Sequence, residues 1–288
     1  MSATQVPSPA DVPDVAETPH PPKAGRNLPA AIAVGLALAA LILVTLFTNR
    51  PLFAGVIAVA IAIGILELCR ALAQTGAHPA RTPLVVGGMV TIAAAYQRGT
   101  AALLFGLVAT CLACLAWRLA EGVPGYLRDW TASVFVAVYV PFLAGFAAML
   151  TAPANGGARI ASFIATTVCS DVGGYTAGVL RGRHAMAPTV SPKKTWEGFA
   201  GSVVACVICG VALVSSVMEI AWWQGVLFGL AIVCAATIGD LGESLVKRDI
   251  GIKDMGHLLP GHGGIMDRLD SLLIAAPVSW LLLTAWAP

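Results

Sequence analysis

The chain has 288 residues, of which 58% are hydrophobic and only 11% are charged. Soluble globular proteins carry about 25% charged residues, so the composition excludes an ordinary soluble enzyme and indicates a protein embedded in a membrane. The formal net charge of +2 identifies no partner, and we expect no nucleic acid among the partners.

Residues 1–27 contain six prolines and no apolar run, so they predict a disordered N-terminal tail without a signal peptide. Residues 28–288 are predicted to form one transmembrane domain, all-α and polytopic, because each apolar segment suits the roughly 20 residues that cross a bilayer. We predict about nine transmembrane helices, at 28–48, 52–73, 82–97, 100–120, 130–151, 158–180, 198–218, 221–239 and 268–286.

The lysines and arginines indicate how these helices are oriented. With nine spans and a cytoplasmic N-terminus, 14 of the 17 basic residues fall on the inner side and three on the outer side. Positive charge accumulates on the cytoplasmic side of membrane proteins. The sequence therefore predicts a multi-pass protein of the cell (inner) membrane, with residues 181–197 and 240–267 facing the cytoplasm.

Ionisable residues also occur inside two predicted spans. An intramembrane acid such as Asp171 is a functional candidate by default, and the alternative is an acid satisfied by the hydroxyls of Thr166 and Thr167. Glu67 and Arg70, three residues apart near the inner end of the second span, predict a structural ion pair at the membrane edge, and direct participation in the site is the alternative.

The sixth span also contains a stripe of small residues. Gly174, Gly178 and Gly182 are spaced four residues apart, which favours close packing against another helix.

A basic loop reading SPKKTWEG precedes the seventh span. Lys193 and Lys194 have two interpretations, an anchor to anionic headgroups or a site for nucleotide or lipid phosphate. Thr195 is either part of that phosphate site or the N-cap of the seventh helix, because a threonine before an apolar run with a nearby glutamate is a helix-start pattern.

The segment from Asp240 to Ser271 holds ten of the 32 charged residues in about a ninth of the chain. Carboxylates hold hard cations, lysine and arginine meet phosphoryl oxygens, and glycine lets the backbone approach closely. Asp240, Glu243 and Lys247 share one face if the eighth helix continues into this segment. Asp267 begins the last helix, where an acid also complements the helix dipole.

Within this segment, Ser244 to Asp270 reads SLVKRDIGIKDMGHLLPGHGGIMDRLD and resembles the signature of the phosphatidate cytidylyltransferases, also called CDP-diacylglycerol synthases. The SPKKTWEG run resembles a second block of the same family. The resemblance implies transfer of CMP from CTP to phosphatidic acid, giving CDP-diacylglycerol and pyrophosphate for phospholipid synthesis. Mg²⁺ is the expected metal because it prefers carboxylates plus substrate phosphates, and the family is also associated with a monovalent ion such as K⁺. The expected partners are CTP, phosphatidic acid and the lipid bilayer, and a homodimer is left open.

The residue chemistry and the family resemblance together imply a role for each candidate residue. The catalytic residues are Asp240, Asp267, Lys247, Arg248, Lys253, Asp254 and Arg268. The substrate-binding residues are Lys193, Lys194, Thr195, Ser244, His262, Gly263 and Gly264. The metal ligands are Asp240 and Asp267, supported by Asp254, Asp270 and Asp171.

Two alternative functions remain at the level of sequence. A CTP-dependent lipid kinase would transfer the γ-phosphoryl group instead, but the full signature favours the cytidylyltransferase. A transporter of anionic solutes would place its charges near the bilayer midplane on broken helices, whereas here they concentrate at one face.

Overall fold

The computed structural model describes residues 28–122, 124–258 and 263–286, which are mostly helical. The predicted disordered tail, residues 1–27, lies outside the described residues. The helices are α1 (Leu28–Thr48), α2 (Arg50–Ala73), α3 (Arg81–Arg98), α4 (Thr100–Glu121), α5 (Tyr126–Ala137), α6 (Leu143–Thr151), α7 (Gly156–Arg181), α8 (Trp196–Gly210), α9 (Ser216–Met218), α10 (Trp222–Ile250) and α11 (Met266–Trp286).

Two pairs of these helices are each joined by a π-helical segment into one continuous helical rod, and each such pair or single uninterrupted helix is called a rod below. A five-residue π-helical segment, Val138–Phe142, joins α5 to α6 and contains Pro141. Proline has no N–H for the helical ladder, and a local change of hydrogen-bond register accommodates it. A second π-helical segment, Val211–Ser215, joins α8 to α9.

Six rods of the described chain are long and apolar enough to cross a bilayer, judged by length and composition. They are Arg50–Ala73, Thr100–Glu121, Tyr126–Thr151, Trp196–Met218, Trp222–Ile250 and Met266–Trp286. The chain is therefore a multi-pass membrane protein. Helices α3 and α7 coincide with two other predicted spans but do not meet that measure. Helix α1 coincides with the first predicted span, and its part Ile32–Thr48 is a shorter apolar helix. The count of nine therefore stays a prediction.

Buried apolar side chains form two main clusters inside the bundle. One lies around α2 and contains the completely buried Ile65 and Leu68, together with Met255 of the α10–α11 connector (residues 251–265) and Met266 at the start of α11. The other surrounds Phe228 of α10, which is also completely buried. Large apolar side chains on α4 remain exposed on the outside, as expected for a surface that faces lipid.

Helices α7 and α8 pack closely through small residues. A Cβ atom on Gly174 would lie 2.5 Å from Ser202 Oγ, and one on Gly182 would lie 3.0 Å from Oγ1 of Thr195, the residue before α8. The structure thus confirms the packing role predicted for the glycine stripe. This contact fixes two walls of the cavity described below.

The region between α7 and α8 contains the described strands. Strands β1 (Ala185–Ala187) and β2 (Ser191–Thr195) form a small antiparallel hairpin, where the sequence predicts only a loop in an all-α protein. The short strands flank a turn that includes Pro188, and strands this short give no alternating pattern to read. Because β2 runs directly into α8, it positions the basic residues of the hairpin beside α7 and α10.

Candidate active site

The C-terminal part of α10 carries a row of polar and charged side chains. Helix α10 continues through this segment, so Asp240, Glu243 and Lys247 share one face, as predicted. The Ser244 hydroxyl donates a hydrogen bond to Asp240 Oδ1 at 3.4 Å. Lys247 Nζ lies 3.5 Å from Oε1 of Glu243, whose side chain is completely buried. The helix therefore carries two acids and a lysine on one face, and Lys247 reaches Asp267 of α11.

Asp267, in the first turn of α11, accepts hydrogen bonds from both ends of the connector and from α10. Its Oδ2 accepts from the backbone N–H of Met255 at 3.0 Å and of Gly264 at 2.9 Å. Its Oδ1 accepts from Lys247 Nζ at 3.0 Å, and the Met255 N–H lies 3.2 Å from the same oxygen. The residue is only 8% exposed. These bonds join the connector and the last two long helices at one carboxylate.

Glycine at two positions allows this convergence. A Cβ atom on Gly239 would lie 2.5 Å from the carbonyl oxygen of Asp270, so glycine lets α10 and α11 approach closely. Gly263 has a φ of 78°, a conformation that other residues rarely adopt, and its Cβ would lie 3.1 Å from Asp267 Oδ2. The predicted roles of Gly263 and Gly264 in substrate binding stay predictions, while the Gly264 N–H bonds directly to Asp267.

The hairpin contributes the second basic side of the site. Lys194 Nζ forms an ion pair with Asp240 Oδ2. Thr195 is the N-cap of α8, because its Oγ1 accepts a hydrogen bond from the Gly198 N–H at 3.1 Å. The capping interpretation of Thr195 is confirmed, and its contact with substrate stays a prediction.

Asp171 faces the site from α7. The hydroxyls proposed as its partners are occupied elsewhere, since Thr167 donates to the carbonyl of Phe163 at 2.9 Å and Thr166 lies 3.6 Å from the sulfur of Cys209. The alternative of a buried acid satisfied by those two threonines is therefore wrong. Asp171 instead lines the cavity with Asp240 and its neighbours.

All these elements surround a cavity of about 500 Å³. Five carboxylates line it, from α7, α10, the connector and α11: Asp171, Asp240, Asp254, Asp267 and Asp270. Four cationic side chains line it as well: Lys193, Lys194, Lys247 and Arg268. The sequence predicted all nine as site residues. The cavity therefore combines carboxylates that suit a hard cation with bases that suit phosphate.

Five of the predicted site residues that the structure describes do not line the cavity: Ser244, Arg248, Lys253, Gly263 and Gly264. Arg248 is exposed and its Nε donates to the carbonyl of Val190 at 3.4 Å, which ties α10 to the hairpin. Lys253 is also exposed. His262 lies outside the described residues. The roles predicted for Arg248, Lys253 and His262 stay predictions.

The predicted ion pair between Glu67 and Arg70 is wrong for the described structure. Glu67 is buried, and its Oε2 accepts a hydrogen bond from the backbone N–H of Met266 at 2.8 Å, whereas Arg70 is exposed. A buried N–H at the start of α11 offers Glu67 a partner that sequence spacing on α2 alone does not reveal.

Polar residues at the cavity wall were missed as well. The Ser202 hydroxyl of α8 donates to the carbonyl of Ser170 on α7 at 2.6 Å, and both serines line the cavity. A serine in an apolar helix is too common to mark a site. The acid at position 67 carried a stronger signal, because an ionisable residue within a span is a functional candidate by default.

The residues of the cavity fit a magnesium ion in donor type but do not form a complete protein cage. Among the described residues, no three His, Cys, Asp or Glu side chains come together as a metal site. Mg²⁺ is commonly held by one or two carboxylates, with water and substrate phosphate completing the octahedron. Asp240 and its neighbouring acids suit that arrangement.

Comparisons with known proteins agree on one family. The sequence model of the cytidylyltransferase family matches residues 29–286. A phosphatidate cytidylyltransferase of Mycobacterium leprae is 43% identical over 283 residues, which cover 93% of this chain and 91% of the relative. The Mycobacterium bovis protein of that name is 40% identical, with 91% and 90% covered. The Brucella suis protein of that name is 34% identical, with 69% and 70% covered.

Proposed function

Because the chain belongs to the cytidylyltransferase family, we propose that it is a phosphatidate cytidylyltransferase. It transfers CMP from CTP to phosphatidic acid and releases pyrophosphate. The observation that carries the proposal is a cavity in which five carboxylates and four cationic side chains meet. That combination suits two anionic substrates that must be brought together.

The proposed reaction breaks one bond and forms one. An oxygen of the phosphatidic acid phosphate attacks the α-phosphorus of CTP in line, and the bond to the β-phosphate breaks as pyrophosphate leaves. The second pKa of a phosphomonoester is about 6, so the attacking group is already largely ionised at neutral pH. The protein therefore needs to position two polyanions and stabilise the leaving group, and it needs no general base.

Lysine and arginine side chains perform that positioning in the proposal. Lys193 and Lys194 approach from the hairpin, and Lys247 and Arg268 from α10 and α11. Each supplies hydrogen-bond donors and positive charge to phosphate oxygens. Residues from both sides of the cavity would thus hold the triphosphate and the lipid phosphate against each other.

Asp240 and Asp267 remain the proposed principal ligands for Mg²⁺, with Asp171, Asp254 and Asp270 around them. When bound, the ion would neutralise charge on the phosphates during transfer. Four donor contacts reach the Asp267 carboxylate, and two involve each oxygen. In this proposal a metal ion on Asp267 Oδ1 would take the place of Lys247, which frees its ammonium for a phosphate oxygen. The predicted K⁺ and the homodimer stay predictions.

The proposal places the cavity on the cytoplasmic side of the cell membrane. The asymmetry of 14 basic residues to three supports a nine-span arrangement with a cytoplasmic N-terminus. CTP is present on that side. Labelling of cysteines introduced in the hairpin and at the Arg50 turn, in intact cells with a membrane-impermeant reagent, tests this orientation; reaction in the hairpin would contradict it.

The reaction itself is tested with purified protein, phosphatidic acid, Mg²⁺ and CTP labelled on either the α- or the γ-phosphorus. Cytidylyl transfer puts the α-label into lipid and the γ-label into pyrophosphate. A lipid kinase would put the γ-label into lipid and release labelled CDP from the α-labelled substrate. Uptake of an anionic solute into proteoliposomes without CTP would instead support a transporter.

A further inference from the structure

Glu67 is a buried acid that the proposed chemistry does not use. It lies on α2 and is 4% exposed, and it does not belong to the described lining of the cavity. Its Oε2 accepts the backbone N–H of Met266, the first residue of α11, across 199 positions of sequence. The first N–H groups of a helix have no partner inside the helix, so Glu67 satisfies one of them.

The same carboxylate is enclosed by two glycines of the α10–α11 connector. A Cβ atom on Gly256 would lie 2.3 Å from Glu67 Oε1, and one on Gly264 would lie 2.6 Å from Glu67 Oε2. Contacts this short do not occur, so these two positions leave no room for a side chain while Glu67 is in place. The two ends of the connector therefore close around the Glu67 side chain.

Asp267 is bonded to the same two ends of the connector. The N–H groups that reach it belong to Met255, beside Gly256, and to Gly264. Glu67 thus contacts the backbone immediately before Asp267 and both passes of chain that orient the Asp267 carboxylate. A shift of Glu67 would move the donors of Asp267 and the start of α11 together.

We infer that Glu67 is a positioning residue that sets the place of Asp267 in the cavity through the Met266 N–H and the two connector glycines. This role rests on the proposed function, because it acts through a residue that the proposal puts in the reaction. It differs from general stabilisation of α11, which would change how much protein folds without changing the turnover of the folded fraction.

Two substitutions of Glu67 separate these roles. Glu67→Gln keeps an oxygen that accepts the Met266 N–H, and Glu67→Ala removes it. A misplacement of about 1 Å at a reacting centre costs on the order of 100-fold in rate. We therefore expect kcat of folded Glu67→Ala to fall about 10- to 100-fold, and the Mg²⁺ concentration that gives half-maximal rate to rise. We expect kcat of Glu67→Gln to stay within about threefold of the wild-type value. Arg70→Ala, an exposed change on the same helix, is the matched control and keeps wild-type kcat.

A change on the opposite side of the contact keeps the inference testable if Glu67→Ala does not fold. Gly256→Ala adds a methyl group against the intact Glu67 side chain, so we expect it to lower kcat while the KM for CTP changes less than about threefold. Wild-type kcat in folded Glu67→Ala or in Gly256→Ala, or equal defects in Glu67→Gln and Glu67→Ala, would overturn the positioning role. Failure of the wild type to form CDP-diacylglycerol would instead reject the proposed function.

Discussion

Replacing Asp267 by asparagine perturbs the most connected side chain of the site. The carboxylate accepts Lys247 Nζ at 3.0 Å, and the N–H groups of Gly264 at 2.9 Å and Met255 at 3.0 Å. Asparagine keeps one acceptor oxygen, which suits the two backbone donors, and then turns its amide NH₂ toward Lys247. The substitution removes one charge-assisted bond while leaving the shape of the side chain.

The magnitudes follow from those contacts. A hydrogen bond to a charged group contributes about 1.5–3 kcal/mol, so we expect the free energy of unfolding to fall by about 2 kcal/mol. The substitution also removes a negative charge from the proposed Mg²⁺ site. Loss of one group that stabilises the charge of a transition state typically lowers kcat about 100- to 1000-fold, and we expect a fall of that size here. Turnover should therefore change far more than folding.

The assay compares purified Asp267→Asn with Asp249→Asn and the wild type, measuring CDP-diacylglycerol formation and thermal unfolding in the same detergent. Asp249 is an exposed acid of the same charged segment, so the control makes the same chemical change away from the cavity. Turnover of Asp267→Asn above about a tenth of wild type, in folded protein, would refute the role of Asp267 in metal binding.

Three further predictions concern the rest of the site. Lys194→Ala removes the ion-pair partner of Asp240 and should raise the KM for CTP about 10-fold, whereas the exposed control Arg98→Ala should not. A KM for CTP in Lys194→Ala equal to that of the wild type would exclude Lys194 from phosphate binding. Chelation of divalent cations should abolish turnover and added Mg²⁺ should restore it, and full activity in chelator would reject the metal. Gly173→Ala places a methyl group 2.6 Å from Ala205 Cβ and should lower both Tm and activity, because it separates α7 from α8. The control Gly242→Ala places its methyl group in open space and should keep the wild-type Tm and activity. A Gly173→Ala protein with wild-type Tm and activity would contradict the packing role.

The apolar helices were predictable because length and hydropathy alone decide whether a segment suits a bilayer. Their ends were less predictable. The eighth span was placed at 221–239, but α10 runs on to Ile250 through charged residues that carry no hydropathy signal. That extension brings Lys247 to Asp267. The spacing of Asp240, Glu243 and Lys247 predicts one shared face only if the helix continues past Gly239, and spacing alone does not decide whether it continues.

Contacts between distant parts of the chain were not predictable from spacing. The sequence predicts an ion pair between Glu67 and its neighbour Arg70, yet the Glu67 carboxylate accepts the Met266 N–H of another helix. The pairing of Lys194 with Asp240 depends on a hairpin whose strands are too short to show a pattern. The sequence indicates which residue types belong to the site. The contacts that position those residues become visible only in the packing of α2, α7 and α8.

A structure determined with CTP and Mg²⁺ bound would show whether this cavity is the active site. We expect the triphosphate inside the cavity, with Asp240 and Asp267 on one side of it and Lys193, Lys194 and Arg268 within contact of its oxygens. A triphosphate bound elsewhere on the protein, or Asp240 and Asp267 too far apart to reach the same nucleotide, would contradict it.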